Sequence, residues 1–374
     1  MYKSKVLIGA FVALVVIGAV VVLQKKASVR ESGTIQIGAI LPLTGDAAQY
    51  GNNDREGILL AVNQANAAGG INGHKIEARF EDCQTEAKLA ISAFNKIKAE
   101  GVQAVIDDAI STISLAMVPL LEQSKTVLLS TGASNPSLSG ASPFFFRIWN
   151  SDAYEGVVAA DYIKKSKSTV KLAVLYINSD YGKGLDSVIS KQLTGSQVQI
   201  VQTETFDKET RDFSSQVAKI RDATPTLIYL IGYAAQTGPV ARQLREAGVE
   251  TPIVGTVAME DPEFIKLAGP AAEGVVYPFP SPPSGAVVEQ FKSAFRQAYN
   301  KDPGLLDDCG YDAANLIIKA MREGGTSGND IRAYLATMKD FQGASGVISF
   351  DANGDVNKPM QMKAIQDGKF VSLP

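Results

Sequence analysis

The sequence predicts an α/β protein with two Rossmann-like lobes and an N-terminal membrane helix. Apolar runs typical of buried strands alternate with helical stretches from residue 34 to residue 267. This alternation is interrupted once, around residues 146–152, and therefore forms two runs. The chain has 374 residues and is 45% hydrophobic, which is enough for about two domains with cores of their own. Alternating strands and helices favour parallel sheets covered by helices on both faces.

The N-terminal segment, residues 6–23, carries no charged side chain and has lysines on both sides. As a helix it would span about 27 Å at ~1.5 Å per residue, close to a bilayer core of roughly 30 Å. It is long for the core of a signal peptide, and no small-x-small cleavage site follows it. We therefore predict an uncleaved signal anchor and tether over residues 1–33, with the rest of the chain in the periplasm or at the outer face of the cell membrane. A cleaved signal peptide is the alternative.

The first run of elements predicts one lobe. Its apolar segments predict strands, and the stretches between them predict helices. The strands are expected over 34–41, 75–81, 104–107 and 126–130, and the helices over 54–67, 86–100 and 114–123. Gly69 and Gly70 follow the first helix, where a residue with positive φ commonly ends a helix.

The second run predicts the other lobe by the same pattern. The strands are expected over 171–177, 198–206, 226–231 and 252–256, and the helices over 154–165, 181–193, 212–223, 234–246 and 261–267. Gly248 follows the fourth helix of this run as a stop signal.

The C-terminal third has a different pattern. A proline-rich stretch, residues 277–285, is predicted to be extended, and helices are predicted over 287–299, 311–323 and 330–337. Asn353-Gly354 predicts a hairpin between strands over 347–350 and 360–366. We expect this part to pack back onto the first lobe, so that the chain crosses between lobes three times. Lobe 1 is then 34–151 plus 279–343, and lobe 2 is 152–278 plus 344–374.

Signals of catalysis and of nucleic-acid binding are missing from the sequence. The net charge of −3 and the pI of about 5.5 argue against a nucleic-acid partner. Neither a G-x-x-x-x-G-K-[ST] phosphate loop nor a G-x-S-x-G nucleophile elbow occurs. His74, the single histidine, follows the turn-forming Asn72-Gly73 and is expected to be a solvated turn residue. Gly182-x-Gly184 lacks the third glycine of a dinucleotide site. We predict no catalytic residues, no cofactor and no metal.

Polar loops follow several predicted strands, at the sheet edge where open α/β sheets bind ligands. Tyr50 follows the first strand, and Ser111 with Thr112 follows the third. Such hydroxyls ordinarily cap a helix, but a helix N-terminus also presents free N–H groups to a carboxylate. The loop after the fourth strand, 130–137, contains Gly132, Ala133 and Ser134.

Two tyrosines occupy the corresponding places in the second lobe. Tyr181 begins a helix after one strand, and Tyr233 follows another strand in "LIGYAAQ". Aromatic rings at strand ends of one lobe would face hydroxyls at strand ends of the other. Such a cleft suits a small molecule with an anionic head and an apolar or aromatic body.

These segments resemble the type I periplasmic solute-binding proteins of ABC importers, in the branch that binds leucine, isoleucine and valine. The resemblance covers essentially residues 34–373 and rests on "IGAILPLTGDAAQYG", "GILLAVNQANAAGGINGHKIE", "FEDCQTEAKLA", "SDYGKGL" and "GYAAQTGPVARQLREAGV". It implies a non-enzymatic protein that delivers an amino acid to permease and ATPase subunits. It also implies that Ser111 and the loop from Gly132 to Ser134 bind the ligand carboxylate, with Tyr50, Tyr181 and Tyr233 as the aromatic walls.

Two departures from the family pattern affect the expected ligand and the cysteines. In the family, an acidic residue neutralises the ligand ammonium, and the matching position here is Val257. Either Asp308 or Glu260 replaces that acid, or the ligand is a keto or aromatic acid without an ammonium group. The family's disulfide would join Cys83 to the position of Ile110, and whether Cys83 pairs with Cys309 stays open.

A sensor of the same fold and an enzyme are the alternative functions.

Overall fold

The computed structural model describes residues 33–165 and 169–373. The predicted signal anchor, residues 6–23, lies outside these ranges. Within them, no helix combines the length and the hydropathy needed to cross a bilayer.

The first sheet has five parallel strands in the order β2-β1-β3-β4-β5. Its elements are β1 (Ile35–Leu41), α1 (Ala48–Ala67), β2 (Ile76–Asp82), α2 (Ala87–Ala99), β3 (Ala104–Asp107), α3 (Ser111–Ser124), β4 (Val127–Ser130) and β5 (Phe145–Arg147). Every residue of β3, β4 and β5 is buried, as expected for a parallel sheet covered on both faces. The strand β5 was not predicted, because only three residues form it.

The second sheet has seven strands in the order β14-β13-β10-β9-β8-β6-β7. Its elements are α4 (Asp152–Lys164), β6 (Val170–Ile177), α5 (Asp180–Leu193), β7 (Val198–Phe206), α6 (Ser214–Asp222), β8 (Leu227–Ile231), α7 (Ala234–Glu246), β9 (Ile253–Val254), α8 (Pro262–Ala268), β10 (Val276–Pro280), β13 (Met360–Gln366) and β14 (Lys369–Ser372). The five adjacent strands β10, β9, β8, β6 and β7 are parallel. The strand β13 pairs antiparallel with both of its neighbours, β10 and β14. The sheet is therefore mixed and not purely parallel as predicted.

The C-terminal third packs helices against the first lobe. It contains α9 (Ala286–Tyr299), α10 (Asp307–Glu323) and α11 (Gly328–Ala336), followed by the antiparallel pair β11 (Phe341–Gly343) and β12 (Gly346–Ile348). The predicted hairpin between residues 347–350 and 360–366 is wrong, since β12 pairs with β11 and β13 pairs with β10 and β14. The Asn353-Gly354 turn exists, but its Gly354 carbonyl accepts the Arg147 N–H at 3.0 Å. The turn is thus bound to the first sheet and does not join two strands.

The apolar core consists of two large clusters, one around each sheet. The first includes residues of β1 to β5 and of α10, and it also includes Ile348, Phe350 and Val356. The second includes residues of β6 to β10 and Ile365. The chain therefore passes between the two cores three times, near residues 149–151, 280–283 and 357–359. The first core extends past residue 343, where the sequence placed the end of lobe 1.

The three crossings are joined by hydrogen bonds. The Asn150 side chain donates to the Lys358 carbonyl at 2.8 Å and accepts the Lys358 N–H at 2.7 Å. The Ser281 N–H donates to the Pro359 carbonyl at 2.8 Å. These bonds make one connected hinge out of three chain segments that are distant in sequence.

Each sheet has one point where the direction of strand addition reverses. In the first sheet it lies between β1 and β3, and in the second between β6 and β8. Loops that leave the carboxyl ends of strands at such a point diverge and open a crevice, which is where ligands bind in open α/β sheets. The chain topology thus identifies one expected crevice in each lobe.

Candidate functional site

The two crevices meet in one cavity between the lobes. Its walls come from the segments after β1, β3 and β4 in the first lobe and after β6, β8 and β9 in the second. The lining residues are Tyr50, Ala109, Gly132, Ser134, Trp149, Tyr181, Tyr233, Val257, Ala258, Leu305 and Leu306. Five of the nine predicted site residues are therefore brought together here: Tyr50, Gly132, Ser134, Tyr181 and Tyr233.

Ser111 lies directly behind this cavity and organises one of its loops. It is the first residue of α3, whose N-cap, Ile110, makes no side-chain cap. The fully buried Ser111 Oγ accepts the backbone N–H of Ser134 at 3.3 Å and that of Asn135 at 3.1 Å. Ser111 is thus not a helix cap, and within residues 33–165 and 169–373 its hydroxyl proton has no hydrogen-bond acceptor. The first N–H groups of α3 have no acceptor within the helix.

Gly132 lets the loop after β4 approach the loop after β3. A Cβ at this position would lie 2.7 Å from the Ala109 Cβ, closer than real Cβ contacts allow. Ala133 is fully buried behind the loop, and its N–H donates to the Ser130 Oγ at 3.1 Å. Any larger residue at 132 would push apart two walls of the cavity.

Three tyrosine rings form the aromatic side of the cavity. The rings of Tyr181 and Tyr233 stack with centroids 5.3 Å apart, and Tyr50 meets Tyr233 from the opposite lobe at 6.3 Å. The cavity between these rings encloses about 40 Å³, less than the roughly 150 Å³ that holds a benzene ring. A ligand of amino acid size therefore requires the rings to move or the lobes to open.

Several buried polar atoms around the cavity make no hydrogen bond of standard geometry within residues 33–165 and 169–373. They are the hydroxyls of Tyr50 and Tyr181 and both carboxylate oxygens of Asp152. The polar groups nearest to them are Asp261 for Tyr50, Thr256 for Tyr181 and Ser134 for Asp152. Buried polar groups are nearly always well hydrogen-bonded, so four such atoms near one cavity favour a further molecule as their partner. The burial of the two hydroxyls raises the pKa of both tyrosines, which keeps them neutral donors.

Two buried acids at the start of α4 lie behind the cavity wall and bond to two of its lining residues. The Asp152 N–H donates to the Ser134 carbonyl at 2.8 Å, and Glu155 Oε1 accepts the Val257 N–H at 3.1 Å. Burial raises the pKa of both carboxyls, and the nearby Asp152 charge raises that of Glu155 further. Removal of two adjacent carboxylates from water is costly. The buried Arg147 charge offsets part of that cost by counteracting the rise in the pKa of Asp152, and a ligand cation between the two acids would offset more of it.

The other predicted site residues lie outside the cavity wall. Thr112 is half-buried on α3, and Ala133 lies behind the loop. Asp308 lines a neighbouring cavity. Glu260, the other acid considered for the ammonium, binds the Tyr277 hydroxyl at 2.7 Å and the Lys363 ammonium at 2.5 Å. Cys83 and Cys309 are both free thiols, so they do not pair.

The comparisons with known proteins agree with this architecture. A family model described as periplasmic binding protein matches residues 34–369. This chain belongs to that family. The match spans the first sheet, the second sheet up to the start of β14, the hinge and the cavity, and it confirms the resemblance to this family.

Individual relatives place the chain close to one branch of the family. It is 27% identical over 330 residues to the leucine-, isoleucine-, valine-, threonine- and alanine-binding protein of Pseudomonas aeruginosa, covering 86% of this chain and 87% of the relative. A crystal structure of a branched-chain amino acid transporter substrate-binding protein from Streptococcus pneumoniae in complex with isoleucine is 29% identical, with a TM-score of 0.82, covering 91% and 99% of the two chains. A leucine-binding protein from Thermotoga maritima is 27% identical, with a TM-score of 0.84, covering 91% and 98%.

Sequence reasoning missed Asp152, Glu155 and Trp149. The two acids look like ordinary N-terminal helix residues, since acidic side chains are favoured in the first turn of any helix. Trp149 is the single tryptophan, and its place in a crossing between lobes was a usable signal. Burial of an acidic pair has no sequence signature.

Proposed function

We propose that this chain is the extracytoplasmic solute-binding component of an ABC importer and that it captures an amino acid of the branched-chain type between its lobes. The observation that carries the proposal is the set of buried polar atoms of Tyr50, Tyr181 and Asp152 that make no hydrogen bond of standard geometry around a cavity at the meeting point of both crevices. The named relatives bind branched-chain amino acids. Three crossings between the lobes suit closure of the lobes around a ligand.

The ligand carboxylate would lie against Ser111 and Ser134. There it would accept hydrogen bonds from the Ser111 hydroxyl and from the first N–H groups of α3. The dipole of this helix also favours a negative charge at its N-terminus. The apolar body would pack against Tyr50, Tyr181 and Tyr233, and lobe closure would bury it.

The ligand ammonium would lie beside Asp152, with Glu155 behind it. These acids take the place of the acid that the family has at the position of Val257. Neither Asp152 oxygen makes a hydrogen bond of standard geometry in the described residues, whereas Glu260 is occupied by Tyr277 and Lys363. An acid beside the cavity supports an amino acid over the corresponding keto acid.

Isothermal titration of leucine and its keto acid, 4-methyl-2-oxopentanoate, tests this assignment. Asp152→Asn should weaken leucine binding by about 2–5 kcal/mol, the range for truncating one partner of a buried charge pair, and leave the keto acid unaffected. Asp54→Asn is the matched control, because Asp54 is also a buried carboxyl with a raised pKa but bonds to Thr131 in the first lobe. Equal binding of leucine by wild type and Asp152→Asn, or no binding of any small carboxylate, would contradict the proposal.

We further propose that residues 6–23 anchor the protein to the membrane beside its permease. Their length and lack of charge support this. The protein should fractionate with membranes, and stimulation of ATP hydrolysis by a reconstituted permease and ATPase would distinguish transport from sensing. Recovery of soluble native protein that begins after residue 23 would show that the segment is cleaved.

A further inference from the structure

A second and larger cavity lies beside the first, at the hinge. It encloses about 420 Å³, within the range of roughly 300–1,000 Å³ that is typical of ligand pockets. Trp149, Leu305 and Leu306 line both cavities. Each of the three crossings contributes to its wall, through Trp149, residues 280–283 and Lys358. Its shape therefore has to change when the lobes rotate.

Two opposite charges line this hinge cavity without forming an ion pair. Lys358 is 6% exposed, and its Nζ donates to the Ser345 Oγ at 2.8 Å, which in turn donates to Asp312 at 2.6 Å. Among the described residues, no carboxylate oxygen lies within the 4.0 Å of an ion pair with Lys358. One oxygen of Asp308 accepts the Cys309 N–H at 2.8 Å. In the part of the chain that the structure describes, the Ser345 hydroxyl is the hydrogen-bond partner of this ammonium, which is almost completely removed from water. The Lys358 charge also counteracts the burial that raises the pKa of Asp308 and Asp312.

The remaining charged side chains of the hinge cavity have ion-pair partners. Glu260 binds Lys363, and Lys363 also lies over the ring of Phe279 at 5.3 Å. Lys292 is half-buried and lies 3.1 Å from Glu289. The rest of the wall is largely apolar, with Trp149 meeting Phe279 edge to face at 5.9 Å between ring centroids. Lys358 and Asp308 are thus the two charged groups of this wall that have no ion pair among the described residues.

We propose that the hinge cavity is a second binding site, for a small zwitterion with an apolar or aromatic body, such as a second amino acid molecule. Its carboxylate would bind Lys358, its ammonium would bind Asp308, and its body would pack against Trp149 and Phe279. The hydrogen bond from Lys358 to Ser345 holds the ammonium in position for this contact. Because all three crossings line the site, a bound molecule resists rotation of the lobes and stabilises the conformation in which both charges face the cavity. The inference goes beyond the proposed function of the first cavity, and its test rests on that function only in using leucine to fill the first cavity.

The test is equilibrium dialysis of labelled L-phenylalanine with the full chain, whose first cavity is saturated with L-leucine. We expect one phenylalanine per chain with no release of leucine. Lys358→Met and Asp308→Asn should each weaken this binding at least tenfold, and Lys96→Met, which removes a surface lysine paired with Glu81, should not change it. Trp149 fluorescence, from the only tryptophan of the chain, should change in the same titration.

Analogues separate the two charges. Phenethylamine lacks the carboxylate and 3-phenylpropionate lacks the ammonium, so each should bind at least tenfold more weakly than phenylalanine. Asp308→Asn keeps a polar side chain of the same shape, so it tests the site even if Lys358→Met unfolds. Failure to bind phenylalanine, stoichiometric release of leucine, or binding unaffected by Asp308→Asn would overturn the proposal.

Discussion

Replacement of Ser111 by alanine tests how the cavity is built. The Ser111 Oγ accepts two buried backbone N–H groups, from Ser134 at 3.3 Å and from Asn135 at 3.1 Å. A buried donor left without a partner costs roughly 1–3 kcal/mol, so two cost about 2–6 kcal/mol if no water replaces the hydroxyl. Both bonds are longer than the usual 2.9–3.0 Å, which favours the lower end.

The same substitution removes the hydroxyl proton that we expect to bind the ligand carboxylate. A hydrogen bond to a charged group contributes about 1.5–3 kcal/mol, which corresponds to roughly 10- to 150-fold in affinity. Ser111→Ala should therefore lower both the stability of the first lobe and the affinity for leucine. Urea unfolding and isothermal titration of the same preparation measure the two effects.

Ser142→Ala is the matched control. Ser142 is also buried in the first lobe, and its Oγ accepts one backbone N–H, from Phe144 at 3.2 Å, away from the cavity wall. It should reduce stability by about 1–3 kcal/mol and leave the affinity unchanged. Ser111→Thr, which keeps the hydroxyl, should retain most of the binding. If folded Ser111→Ala binds leucine within about twofold of wild type, Ser111 does not act on the ligand and the reasoning fails.

Three further predictions concern pH, packing and the thiols. Burial raises the pKa of Asp107 to about 7 and that of Asp108 to about 8, whereas unfolded aspartates titrate near ~3.9. Between these pKa values the unfolded state loses protons that the folded state keeps. The melting temperature should therefore fall as the pH rises from about 4 to 8 and level off above about pH 8. A melting temperature that rises across this window would refute the prediction. Gly132→Ala should weaken leucine binding at least tenfold in titration, because its Cβ would clash with Ala109; unchanged affinity would show that the loops can separate freely. Cys83 and Cys309 are buried free thiols, so neither should react with a thiol reagent in the native protein. In denaturant both should react without added reductant. A count of one reactive thiol in denaturant would contradict this.

Much of the fold was predictable because parallel α/β proteins have a strong local pattern. The apolar runs that became β1, β6 and β8 are flanked by glycine and polar turns, and the predicted bounds differ from the observed ones by few residues. Errors arose where three-residue strands and long-range pairing decide the structure. The strand β5 is too short to show periodicity, and the partners of β12 and β13 depend on contacts between lobes.

The sequence by itself determined the family, the order of the two lobes and five residues of the cavity wall, because each follows from residues that are adjacent along the chain. Only the tertiary structure decided that Ser111 holds a loop and does not cap its helix, and that the buried Asp152 lies behind Ser134 of the cavity wall. It also placed Asp308 in a different cavity from Tyr50. Burial and the lack of a partner are properties of the surroundings of a side chain. Those surroundings come from segments that are far apart in sequence and meet only when three crossings bring the lobes together.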